Sequence, residues 1–126
     1  MAYTLSKTAV VFVVIVAAMH FGFLVLEMFF WDHPVGRKIF NMTPDVSASS
    51  ALLAMQQGLY NGFLAAGLLW ALLKRKIDVI GFFLLCVITA GVFAAITVKT
   101  SIIFTQSLPA FIALMLVWNS KTKAKE

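Results

Sequence analysis

The residues able to do chemistry in this 126-residue chain are few, and most of them sit inside apolar blocks. His20 and Glu27 are seven positions apart and Trp31 lies four further on, a spacing that aligns all three on one face of a helix. Gln57 and Asn61 are four apart and share a helical face, with Gln56 and Tyr60 on the adjacent one. Gln106 stands in a later block. One acid, one imidazole, a phenol and several amides in apolar walls suit recognition of a small polar or amphipathic ligand. The same set offers a second chemistry, acid–base work by His20 and Glu27 on a lipid-soluble substrate. A third reading is structural: the amides serve only as hydrogen-bonded glue between helices or toward a protein partner.

The surrounding composition decides what must position these groups. Hydrophobic residues make up 62% of the chain, charged residues 12%, and the mean hydropathy is +0.98. A soluble domain is about 45–50% apolar and about 25% charged. A small globule has too much surface to hide such an excess from water. A soluble enzyme and a disordered chain are thereby excluded, and a lone Cys86 excludes a disulfide scaffold. Cys86 has no activating basic neighbour in sequence and reads as packing. No ligand spacing for a metal is present, and nothing calls for a cofactor.

A membrane span needs roughly 20 mostly apolar residues. Four blocks approach this, at about 8–31, 51–73 (with a helix start at 44), 79–98 and 102–118, separated by an external loop over 32–50. The expected architecture is an all-α membrane protein: a single domain over 1–126, with four transmembrane helices in an antiparallel bundle. Pro109 should bend the last helix. The first block is longer than a signal-peptide core and is followed by Phe29, Phe30, Trp31 and Asp32 instead of a small-residue cleavage site, so it reads as a permanent helix. His33-Pro34 should stop that helix. Thr43-Pro44-Asp45 should start the next, with a threonine cap, a proline in the first turn and an acid at the positive end of the dipole.

Orientation follows from basic residues in short loops. Lys7, Lys74, Arg75, Lys76, Lys121, Lys123 and Lys125 fall on the side of the termini, against Arg37, Lys38 and Lys99 on the other. Seven against three places both termini in the cytoplasm of a multi-pass inner-membrane protein. The basic charge is thus an orientation signal, and nucleic-acid binding is not expected.

At about 1.5 Å of rise per residue, Glu27, Gln57 and Gln106 fall about 6–9 Å below the outer edge in one layer, with His20, Tyr60 and Asn61 deeper. An ionisable group in hydrocarbon costs at least about 2.5–3.5 kcal/mol, so these side chains should face inward and find partners. The plainer alternative turns Glu27 outward, as an ion pair with Lys99 or Arg37. Ala54, Gly58, Gly62 and Ala66 on the second helix, and Gly91 and Ala95 on the third, form small-xxx-small stripes that allow close helix approach, either within the chain or in a homodimer.

Three runs, HFGFLVLEMFFWDHPVGRKIF (20–40), QQGLYNGFLAAGLLW (56–70) and KTSIIFTQSLPA (99–110), resemble the small bacterial membrane-protein family named domain of unknown function 1304. Gln56 stands where the resemblance leads one to expect asparagine and keeps an amide. The resemblance implies four spans in the inner membrane and brings no activity, cofactor or site residue with it. A looser, topological similarity to DoxX-like four-helix membrane proteins carries no residues across.

Overall fold

A computed structural model describes residues 4–123, with side chains described over 4–120. All regular structure among the described residues is helical. Five α-helices follow in order: α1 (Lys7–Phe29), α2 (Pro34–Phe40), α3 (Pro44–Leu73), α4 (Ile77–Thr97) and α5 (Leu108–Lys123), with a π-helical segment over Ile103–Ser107 leading into α5. Of the cations that set the expected orientation, Lys125 and the side chains of Lys121 and Lys123 lie outside the described residues.

Among the described residues three helical stretches, not four, are long and apolar enough to cross a membrane: Lys7–Phe29, Ile77–Thr97 and Ile103–Ser120. Their 23, 21 and 18 residues give lengths of about 34, 31 and 27 Å against a hydrocarbon thickness of about 30 Å. α3 fails on polarity, not on length, since its 30 residues extend about 45 Å. Gln56, Gln57, Tyr60 and Asn61 interrupt its apolar sequence, and Asp45, Ser47, Ser49 and Ser50 make its first two turns polar.

Local signals account for the helix ends. Ser6 Oγ accepts from the Ala9 N–H at 3.1 Å and caps α1. α3 starts at Pro44, as Thr43-Pro44-Asp45 predicts. Between them the sequence reading expected only loop, yet α2 forms there. His33 is extended, as a residue before proline should be, and its Nδ1 accepts from the Val35 N–H at 3.2 Å. Asn41 closes α2 in the left-handed region at φ 52°. Arg75 ends α3 the same way at φ 53°, with the Lys76 N–H bonded back to the Ala71 carbonyl.

The last span does not merely bend at Pro109. The chain opens into a π turn just before it, where the Leu108 N–H reaches the Ile103 carbonyl five residues back. Proline has no N–H to return to Thr105, and its ring crowds that carbonyl, so the preceding turn widens.

The chain divides into two compact units, Ala18–Ala65 and the remainder. In the remainder, α4 buries Ile77, Ile80, Leu84, Val87, Gly91 and Ala95, a stripe at helical spacing. Ser107, Ala110, Ala113, Val117 and Ser120 form the matching buried stripe around α5. The Ser6 N–H donates to Ser120 Oγ at 3.1 Å, tying the start of α1 to the end of α5. Between helices in lipid such contacts gain from close packing and hydrogen bonds, not from release of water.

Within 18–65, α1 packs on α3 through glycine. A Cβ on Gly58 would press on Met28, on the Glu27 Cβ and on the Leu24 carbonyl, and one on Gly62 would meet Leu24. The small-residue stripe of α3 therefore closes a contact inside the chain. Its register runs Ala54, Gly58, Gly62 and then Ala65, which is fully buried, while Ala66 is exposed. A strict four-residue repeat drifts off the face of a 3.6-residue helix, and the packing follows the helix.

Candidate functional site

That close approach sets Glu27 against α3. Asn61 Nδ2 donates to Glu27 Oε2 at 2.7 Å, a charge-assisted bond between two half-buried side chains. Among the described residues, Asn61 is the partner of this carboxylate, and Oε1 accepts no bond from the protein. Gln57 lies one turn before Asn61 on the same side of α3, beside the Gly58 contact with Glu27.

The other expected site residues are dispersed. Gln56, Gln57 and Tyr60 were expected to face inward, but all three are exposed, Tyr60 by 61% with its ring against Phe63. α1 fills the Ala54–Gly58–Gly62 face, which turns Gln56 and Tyr60 away from it, while Gln57, on the Asn61 side, makes no bond to the acid among the described residues. His20 is buried to 1% exposure, edge-on to Phe23 at 5.3 Å. Gln106 belongs to the other unit, in the π segment, with its Cβ packed over Gly91.

Sequence reasoning missed a second polar cluster, which ties the two ends of the 32–50 connection together through α2. Arg37 Nη2 donates to Asp32 Oδ1 at 2.8 Å, Ser47 Oγ donates to the same oxygen at 2.6 Å, and Arg37 Nε donates to Ser47 Oγ at 3.0 Å. Arg37 thus pairs with Asp32 and not, as the plainer alternative had it, with Glu27. The Ser47 hydroxyl and then the Arg37 guanidinium hold the Asp32 carboxyl below its ordinary value of 3.8. Trp31 Nε1 donates to Ser50 Oγ at 2.9 Å, and its ring lies 4.7 Å from that of Phe40. Gly36 completes the cap, because any Cβ there would collide with the Phe30 and Trp31 carbonyl oxygens. The available signal was the Asp32–Arg37 spacing across His33-Pro34, which makes sense only once α2 is recognised as a helix.

Among the described residues, no group of three His, Cys, Asp or Glu side chains could hold a metal ion. The arrangement is instead a half-buried carboxylate, anchored by one oxygen, next to an exposed amide face and beneath an ordered polar cap.

A family model, Protein of unknown function (DUF1304), matches residues 14–118. The chain belongs to this family. A relative, the uncharacterized protein YpaA of Lactococcus lactis subsp. lactis (strain IL1403), is 28% identical over 105 residues, covering 80% of this chain and 88% of YpaA. No solved structure matches. The family match includes α2, α3 and both members of the Glu27–Asn61 pair.

Proposed function

We propose that the chain is a multi-pass inner-membrane protein that binds a small polar or amphipathic ligand at Glu27. In this reading α3 is a fourth span, its polarity accepted because it serves the site. Both termini are then cytoplasmic, and α2 lies on the outer side. The observation that carries the reading is the Glu27–Asn61 bond. One carboxylate oxygen is fixed and the other is left for a cationic or hydrogen-bond-donating group, with the exposed Gln57 one turn before Asn61 on α3. A long-chain alkylamine fits that chemistry: the ammonium on Glu27, the tail along the exposed Leu53, which lies one turn before Gln57 on α3. The lipid-modifying enzyme is the weaker reading, since His20 is buried to 1% exposure.

The test is unfolding of the purified protein in nanodiscs with and without decylamine. A ligand at 100 times its Kd stabilises by about 2.7 kcal/mol. Glu27→Gln and Gln57→Ala should each erase most of that gain. Equal stabilisation of both variants and the parent would reject the site.

A second reading has one observation in its favour. Gln56, Gln57 and Tyr60 are exposed together on α3, and a second copy pairing its own amides there would satisfy them. Disulfide trapping of Gln57→Cys in native membranes separates it from the first, because a lone monomeric site yields no cross-linked dimer.

A further inference from the structure

The widened turn before Pro109 makes a groove between α4 and the start of α5. It encloses about 360 Å³ and is lined by Ile88, Val92, Ile103, Phe104, Leu108 and Phe111. The volume falls in the ordinary range of ligand pockets, about 300–1,000 Å³. Its one polar neighbour is already engaged. Gly91 lacks the Cβ that would strike Ser107, so the Ser107 hydroxyl comes close enough to donate to the Ile88 carbonyl at 3.0 Å. The groove wall is therefore wholly apolar, and only a hydrocarbon occupant leaves no polar group unpaired there.

A cation, Lys99, stands four residues before the groove-lining Ile103. Ile103 follows the exposed turn 98–102, in which the Ile102 and Ile103 N–H groups bond the Lys99 and Thr100 carbonyls at 3.0 and 3.2 Å. Lys99 is exposed and forms no ion pair among the described residues, and the exposed hydroxyls of Thr100 and Ser101 stand beside it. An exposed ammonium next to two exposed hydroxyls in sequence, within four residues of a groove-lining isoleucine, complements a phosphate joined to a hydrocarbon chain.

We infer that the α4–π groove holds one acyl chain of an anionic glycerophospholipid, with the lipid phosphate on Lys99. The site lies in the other unit from Glu27 and stands independently of the ligand reading there. Native mass spectrometry of the full chain, with dioleoyl phosphatidylglycerol or dioleoyl phosphatidylcholine added at matched concentrations, tests it. Phosphatidylglycerol should be retained about five-fold better, the equivalent of about 1 kcal/mol for one lysine at the membrane surface. Lys99→Gln should remove that preference, and Val92→Trp, which fills the groove, should lower retention of both lipids. Lys99→Gln touches no packed group, so its result stands even where Val92→Trp fails to fold. Equal retention of the two lipids, a preference that survives Lys99→Gln, or undiminished retention by folded Val92→Trp would overturn the inference. Retention of glycerol phosphate as tight as that of the lipid would overturn it too, by making the groove irrelevant.

Discussion

The bond between Asn61 and Glu27 is measurable as a coupling energy. Hydrogen bonds to charged groups contribute about 1.5–3 kcal/mol in water-soluble proteins. Across membrane helices the measured average is nearer 0.6 kcal/mol and the maximum about 1.7, because partly unfolded helices in lipid also find partners. At 2.7 Å and half-buried, this charge-assisted pair belongs in the upper part of that range, at about 1–1.5 kcal/mol. Glu27→Met and Asn61→Ala each remove one partner without offering a substitute. Glu27→Met removes a half-buried acid but orphans the Asn61 amide, two effects of opposite sign, whereas Asn61→Ala orphans the acid itself, so only the cycle isolates the pair. Reversible unfolding by dodecyl sulfate in mixed micelles, on the parent, both singles and the double, supplies the four free energies. Distant residues add within about 0.3–0.5 kcal/mol. A coupling inside that band would refute the claim that Asn61 anchors the acid.

Two further outcomes test the Asp32–Arg37–Ser47 cap and the topology. The Asp32 carboxyl is held lower in the folded chain than in the unfolded one, so its contribution is complete above the ordinary value of 3.8 and lost as pH falls through the folded value. Unfolding at pH 6 and pH 3 should show the parent losing more stability than Asp32→Asn, and parallel losses would mean that the Asp32–Arg37–Ser47 network does not stabilise the fold. In a Cys86→Ala background, Lys38→Cys should react with a membrane-impermeant maleimide in spheroplasts, and Arg75→Cys should react only after lysis. Labelling of both in intact spheroplasts would show that α3 does not cross.

Hydropathy and punctuation were legible along the chain. The apolar blocks, the start of α3 at Pro44 and the stop before Pro34 each follow from residues within a turn of the event, as does a disturbance near Pro109. Local sequence also contained the seeds of α2, but a seven-residue helix is too short to form on its own helical tendency. It depends on Asp32, Ser47 and the Phe30 and Trp31 carbonyls, the last two lying against Gly36 and reached only by folding back.

The polar residues divide along the same line. Their types are plain in the sequence and their order along each helix follows from counting positions, since rise per residue is constant along a helix. Their facing does not, because a helix has many sides and a polar spacing does not say which one a neighbour will occupy. α1 took the glycine face of α3, bringing Asn61 to Glu27 and leaving Gln56, Gln57 and Tyr60 exposed. The same holds around Pro109: proline chemistry foretells a broken hydrogen bond, whereas packing of Ser107 against Gly91 makes the opened turn the wall of a groove. Composition and periodicity are properties of single segments; pairing is a property of which segments meet, and close-packed contact alone selects it.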